Sequence, residues 1–295
     1  MGLFSVNYNK PGPGVSKDAP PKKAFFRFWE IYFRKFFNLI KVNMLFAIPV
    51  AVAFFLMIVV TQFIVSINPT LSFLGMLPLV LIFPFVGGLT FVCRNYAREE
   101  HAFILSDFLE ATKKNWKQFL LNGIICYVFY ILMSVAVNFY SQQMGTNQIL
   151  YIPFVVCCLV ALLFVFAQFY IPVMIITFDL SLRQIYKNAF IFAILGLWRN
   201  LLLLVIIAVL LLASFIFLLW IPPLAFLVLL VLAVFWFFSF IGFLVNFAVY
   251  PLLVKYIINP YNREQEEKKK AEKKAAGEEE EEEEEDLPDF QDSLY

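Results

Sequence analysis

The chain has 295 residues, of which 62% are hydrophobic and only 15% are charged, and its formal net charge is +1. Soluble domains contain about 45–50% apolar and about 25% charged residues. The composition therefore excludes an ordinary soluble domain and indicates a membrane protein.

The first 23 residues are rich in proline and glycine, including Pro11, Pro13, Pro20 and Pro21. Such a segment cannot form a packed element. We predict that residues 1–23 form a disordered N-terminal tail that precedes the membrane domain.

Residues 24–41 carry one polar stripe at helical spacing, which Arg27, Glu30, Arg34 and Lys41 mark. Aromatic residues cover most of the remaining surface of this predicted helix. A basic stripe beside bulky aromatics is typical of a helix in the membrane interface. An elbow helix that packs on the transmembrane bundle is the alternative that the pattern leaves open.

Three stretches lack any Asp, Glu, Lys or Arg: residues 42–93, 118–178 and 200–254. One bilayer crossing needs roughly 20 apolar residues, so each stretch holds two crossings and a turn. Turn signals divide them at 66–70, 141–148 and 220–223. The predicted spans are residues 43–66, 71–93, 119–140, 151–177, 200–220 and 224–250.

The fold class that follows is an all-α integral membrane protein, with six transmembrane helices in residues 24–258. The six spans are expected to form three hairpins, with amphipathic cytoplasmic helices between them. All 23 Lys and Arg residues lie before the first span, in the two connections between hairpins, or after the sixth span. By the positive-inside rule, both termini and these two connections are cytoplasmic.

The connection between the second and third spans is predicted to contain a helix that starts at Ser106. Ser106 is expected to cap this helix, with Asp107 and Glu110 in its first turn, the arrangement that the helix dipole favours. Its other end carries basic residues and a tryptophan: Lys113, Lys114, Trp116 and Lys117. We treat this helix as a candidate docking surface, although charges at helix ends also have a purely structural explanation.

The connection between the fourth and fifth spans contains a second such helix. Ser181 and Gln184 have the spacing of a capping box, and Gly196 is expected to end the helix. At the end of the chain, residues 259–295 are predicted to form a disordered acidic tail. This tail includes an unbroken run of glutamates at 278–285, where like charges repel one another.

No motif for catalysis, phosphate binding or metal binding is present, and the single histidine excludes a site built from several histidines. We therefore expect no catalytic residue, no metal site and no cofactor. Four amides within the spans are candidates for a polar lining of the membrane interior: Asn43, Asn122, Gln168 and Asn246. The alternative is that they form hydrogen bonds between helices.

One segment has a distinctive order of polar residues: Ser106, Asp107 and Phe108, followed by Lys113, Lys114, Asn115 and Trp116. Here the chain resembles the YesL family of bacterial multi-pass membrane proteins, which has no established activity. Residues 36–49 and 180–190 also fit this family, and the resemblance extends over about 25–258. It implies a location in the bacterial cytoplasmic membrane and an accessory role in carbohydrate uptake.

Two functions remain open. The first is a non-enzymatic accessory or regulatory partner, which docks a transporter or regulator on the cytoplasmic side. The second is a small-solute carrier or channel with an amide-lined cavity. The lack of any charged residue in the predicted spans favours the first, because intramembrane charges usually mark coupled transport pathways. The lipid bilayer is an expected partner and nucleic acid is not.

The topology can be tested with reporter fusions along the chain. Fusions at Asn68, Gly145 and Pro222 should report the outside, because no basic residue lies in these turns. Fusions after Asn95, Asn188 and Asn262 should report the inside. A single site with the opposite result would contradict the predicted orientation.

Overall fold

A computed structural model describes residues 22–145 and 147–276 of the chain. Within these ranges the regular elements are helical, and six helices are long and apolar enough to span a membrane. These six are Phe36–Ile67, Pro69–Ala97, Ile104–Gln143, Gln148–Thr177, Leu197–Trp220 and Pro222–Lys270. Each contains one predicted span, which confirms the six apolar helices expected from the sequence.

The α-helices of this part of the chain are numbered in order. They are α1 (Ala24–Arg34), α2 (Phe36–Ile67), α3 (Phe83–Ala97), α4 (Ile104–Gln143), α5 (Tyr151–Thr177), α6 (Leu182–Leu195), α7 (Leu197–Trp220), α8 (Pro222–Leu232), α9 (Phe238–Leu253) and α10 (Asn259–Ala276). A 3₁₀ segment, Pro69–Ile82, leads into α3, and π-helical segments at Ala233–Phe237 and Val254–Ile258 join α8, α9 and α10.

Two of the three predicted turns depend on an asparagine side chain. Asn68 Oδ1 accepts hydrogen bonds from the backbone N–H and the hydroxyl of Thr70, at 3.0 and 2.7 Å. Asn147 Oδ1 accepts one from the backbone N–H of Ile149, at 3.1 Å. These local bonds stop one helix and start the next, as the sequence predicted for these positions.

The helix predicted to start at Ser106 is part of a longer element, and its predicted cap is wrong. α4 begins at Ile104, and the backbone N–H of Phe103 donates to Asp107 Oδ2 at 2.8 Å. The helix does not end after Lys117 but continues to Gln143. No proline interrupts this stretch, so residues 106–117 and the third predicted span form one continuous helix.

The second connecting helix has the ends that were predicted. α6 starts after Ser181, whose backbone N–H donates to Gln184 Oε1 at 2.9 Å, and Gly196 is its C-cap. The capping box and the glycine stop are both confirmed.

The first helix packs on the bundle. Phe28, Ile31 and Tyr32 are buried, and the rings of Phe28 and Tyr32 contact Phe240 and Phe243 of α9. This is the elbow arrangement that the sequence left open. The other side of α1 still exposes large aromatics, Phe25, Phe26 and Phe33.

The C-terminal region differs from the expectation of disorder over 259–295. Residues Asn259–Ala276 form α10, in which alanine, glutamate and lysine favour a helix and Glu264 pairs with Lys268 at 2.6 Å. The rest of the acidic tail, 277–295, and residues 1–21 of the predicted N-terminal tail lie outside the described residues.

Buried side chains concentrate at one end of the helices, which we call the packed end. It comprises residues 39–53 of α2, 87–97 of α3, 108–123 of α4, 164–175 of α5 and 239–253 of α9. Toward the other end, most side chains of these helices are exposed. The packed end is the one from which α1, α6 and the 98–103 loop extend, and it corresponds to the predicted cytoplasmic side.

α2 contacts the 3₁₀ segment that follows it, α4 contacts α5, and α7 contacts α8. The expectation that the spans are organised as three hairpin units stays a prediction, since α3 also packs against α4, α5 and α9.

A glycine allows the close approach of α3 to α4. A Cβ atom on Gly88 would lie 2.5 Å from the backbone oxygen of Phe108 and 2.7 Å from Thr112 Oγ1. Backbone atoms cannot move aside as a flexible side chain can. Gly145, in contrast, has no heavy atom within 4 Å of an added Cβ.

We therefore expect Gly88→Ala to force α3 and α4 apart and to lower stability by about 1–3 kcal/mol, the usual cost of overpacking. Thermal unfolding in a mild detergent measures the effect. Gly145→Ala is the matched control and should leave the unfolding temperature unchanged. Equal behaviour of the two variants would contradict the tight α3–α4 contact.

Candidate functional site

The predicted docking residues lie on the first half of α4, mostly on one exposed side. Ser106, Glu110, Lys113, Lys114, Trp116 and Lys117 are exposed, whereas Asp107 is half-buried because it binds the start of the helix. The opposite side of the same helix is buried through Phe108, Ala111 and Thr112. The ammonium of Lys117 lies 5.7 Å from the Trp116 ring centroid, so a charge and an aromatic surface are presented together.

The length of α4 decides where this face lies. At 1.5 Å per residue, its 40 residues extend about 60 Å, twice the hydrocarbon thickness of a bilayer. The charged first half therefore projects beyond the apolar half as part of the same rod.

Asn43 joins the first apolar helix to the last one. Its side chain is fully buried, and its Nδ2 donates to the backbone oxygens of Ala233 and Val234 at 2.7 and 2.6 Å. Its Oδ1 accepts from the backbone N–H of Ser239 at 2.8 Å. Ala233 and Val234 begin the π-helical segment and Ser239 follows its end. In this segment i→i+5 hydrogen bonds replace the usual i→i+4 bonds. All of the amide's polar atoms are occupied by backbone groups.

Asn122 and Gln168 contact each other. Asn122 Nδ2 donates to Gln168 Oε1 at 3.2 Å, and the Tyr186 hydroxyl donates to Asn122 Oδ1. Gln168 Nε2 is buried and has no hydrogen-bond partner among the described residues. The structure thus brings together two of the four predicted interior amides and adds a tyrosine from α6.

Two other buried polar residues were not predicted from the sequence as site residues. Asn200 is fully buried; it accepts from the Tyr170 hydroxyl at 2.8 Å and donates to the backbone oxygen of Ala193 at 3.0 Å. Arg94 is also buried and donates to the backbone oxygen of Ile176 and to Thr177 Oγ1, both at 3.1 Å. A polar residue at the edge of an apolar run was the only signal in the sequence for either.

The end of α3 has an unusual residue in a left-handed conformation. Glu99 has φ 62°, at a position of a Schellman-type cap where glycine is normally preferred. The backbone N–H groups of Glu99 and Glu100 donate to Tyr96 and Asn95, which completes this cap.

The Glu99 carboxylate binds two arginines of α1. It accepts from Arg34 and, at 3.2 Å, from Arg27. Partial burial alone would raise the pKa of Glu99, but the hydrogen bond and charge of Arg34, and then the charge of Arg27, leave this pKa below its ordinary value. Glycine would fit this backbone better, but it would not connect the loop to α1.

Two cavities open at the packed end. We call the first the arginine cavity; it has a volume of about 280 Å³, and its lining includes Arg27, Arg98, Glu100, Asn246, Phe247 and Tyr250. The second, the acidic cavity, has a volume of about 220 Å³ and lies between α4 and the end of α5. Its lining includes Asp107, Glu110, Lys114, Thr177 and Asp179. Asn43, Asn122 and Gln168 line neither of them.

Asn246 is the one predicted interior amide that lines a described cavity. It is buried, and its Nδ2 donates to the backbone oxygen of Gly242 at 2.7 Å, four residues earlier in α9. Its Oδ1 has no hydrogen-bond partner among the described residues.

Residues 39–139 match the family described as a protein of unknown function, DUF624. No curated protein and no solved structure matches the chain. The matched region contains α2, α3 and most of α4, and with them Asn43, Glu99 and the candidate docking residues.

The contacts of Asn43 predict a structural role that can be measured. Asn43→Ala would remove three hydrogen bonds to the backbone of the last apolar helix, and a typical hydrogen bond contributes about 0.5–1.5 kcal/mol to stability. We expect a clear fall in the unfolding temperature in detergent. Asn138→Ala is the control, because Asn138 is an exposed amide in an apolar helix. An unchanged unfolding temperature in Asn43→Ala would refute the interhelical role.

Proposed function

We propose that this protein is a non-enzymatic accessory or regulatory partner of a membrane uptake system, embedded in the bacterial cytoplasmic membrane. Its docking surface is the exposed face of the first half of α4. A transporter or a regulator binds there on the cytoplasmic side, and both chain termini lie on that side. The resemblance to the YesL family suggests a carbohydrate as the solute of the partner system.

The observation that carries this proposal is the continuity of α4. An amphipathic helix that merely covers the membrane surface would be free to end at Lys117, but here the charged face belongs to the same rod as an apolar helix. Its buried side is fixed to α3 through the close contact at Gly88. The exposed side therefore presents Lys113, Trp116 and Lys117 on a rigid support, which lowers the entropic cost of binding a partner.

The alternative, a carrier or channel with an amide-lined cavity, has less support. Asn43 and Asn122 use their side chains to join helices, which leaves few polar atoms available to a solute. The free Nε2 of Gln168 is the observation that favours it. Uptake of a neutral polyol into liposomes that contain only this protein, abolished by Gln168→Leu, would decide for the carrier.

The docking proposal predicts that neutral substitutions on α4 remove partners without unfolding the protein. Single exposed residues usually change stability by less than about 0.5 kcal/mol, so Lys113→Gln with Lys117→Gln should remain folded. Quantitative mass spectrometry of chains that co-purify in mild detergent should show a loss of the specific partners. The same unfolding temperature as the wild type confirms that the fold is intact.

Arg183→Gln with Lys187→Gln is the matched control, because these residues are also basic, exposed and four positions apart on a helix. This control should retain the partners. If the α4 variant is folded and keeps the full set of partners, the docking surface lies elsewhere.

A further inference from the structure

The arginine cavity has the features of a binding site for a small ligand. Its volume of about 280 Å³ is at the lower limit of ordinary ligand pockets. Three separate parts of the chain form it: α1, the loop after α3, and the region from α9 to the start of α10. Its walls combine charged groups with the aromatic rings of Phe247 and Tyr250.

A buried acceptor lies in the wall of this cavity without a partner. Asn246 is 1% exposed, and its Nδ2 is already used within α9. The remaining polar atom, Oδ1, is unsatisfied, and a buried polar atom in this state costs about 1–3 kcal/mol. A leucine at this position would avoid the cost. Since Asn246 belongs to the cavity wall, Oδ1 is the atom of its amide that is left to accept from a hydroxyl or amine donor of a ligand.

The arginines of the cavity supply hydrogen-bond donors. Arg98 pairs with Glu100 at 2.5 Å, and its guanidinium carbon lies 5.0 Å from the ring centroid of Tyr250. Arg27 contributes one contact to Glu99. Each guanidinium has five N–H donors in a planar fork, so both retain donors for a ligand.

The local charge favours an anion. Arg27, Arg34 and Arg98 share the two carboxylates of Glu99 and Glu100, which leaves one positive charge in this cluster. The Glu99 contacts also hold α1 against the loop after α3, so the left-handed backbone at Glu99 is maintained by the same interaction that positions Arg27.

We propose that the arginine cavity binds a small polyol phosphate. The phosphate accepts hydrogen bonds from Arg27 and Arg98, and a hydroxyl of the ligand donates to Asn246 Oδ1. Phosphate suits two arginines on different elements, because it presents several oxygens in different directions. The same chemistry occurs in the glycerol phosphate headgroup of a lipid and in a free polyol phosphate.

The test uses the full chain, purified in mild detergent, with two probes. Free glycerol 3-phosphate is titrated while thermal stability is followed, with glycerol alone as the reference. Phosphatidylglycerol and phosphatidylcholine are compared by native mass spectrometry after delipidation. Stabilisation by glycerol 3-phosphate identifies a soluble ligand, and selective retention of phosphatidylglycerol identifies a lipid headgroup.

Two variants probe opposite sides of the cavity. Arg98→Gln removes a charged donor, and Asn246→Leu removes the acceptor. Each variant should weaken binding of the probe that the wild type binds by at least about tenfold. Asn246→Leu should also keep or raise the unfolding temperature, because the unsatisfied atom is gone. Arg183→Gln, an exposed substitution on α6 with the same change of charge, should bind as the wild type does.

Binding of one probe by the wild type, weakened in both cavity variants and retained in Arg183→Gln, supports the assignment. Binding of neither probe, or equal binding by the wild type and both folded cavity variants, overturns it. If one cavity variant fails to fold, the other decides by the same criterion. The result is independent of whether α4 docks a partner protein.

Discussion

The rest of the structure depends on the hydrogen bonds that Asn43 makes with the backbone of the last apolar helix. A polar side chain in apolar surroundings must find partners, and Asn43 finds them about 190 residues further along the chain. Nearby, the Trp236 indole donates to the Tyr32 hydroxyl at 2.7 Å, which also ties α1 to this region. These contacts fix the first and last spans to each other at the packed end.

The polar groups at the packed end differ in whether they bind other protein groups. Asn43, Asn122 and Asn200 connect helices, and their polar atoms bind protein groups. In contrast, Asn246 Oδ1 in the wall of the arginine cavity binds no described protein group. The unpartnered acceptor of Asn246 lowers stability in the wall of the arginine cavity, and the left-handed backbone of Glu99 lowers it between two lining residues, Arg98 and Glu100.

Much of this architecture could be predicted from the sequence because it depends on local chemistry. Uncharged runs predicted the six apolar helices, and the Ser181 box and Gly196 predicted the ends of α6. The prediction that Ser106 caps α4 was wrong because capping residue types also occur inside a first turn. Here Asp107, and not Ser106, binds the backbone at the start of the helix. The partners of Asn43, the Glu99 contacts and the cavity could not be predicted, since they join residues that are distant in the chain.

The contact between the first and last spans can be measured directly by cysteine cross-linking. The rings of Phe46 and Phe238 lie 5.3 Å apart, whereas Phe55, further along α2, is exposed. In a chain whose four native cysteines are replaced by alanine, cysteines at 46 and 238 should form an efficient cross-link in membranes. Cysteines at 55 and 238 should not. Equal cross-linking of the two pairs, or none at 46 and 238, would contradict the account.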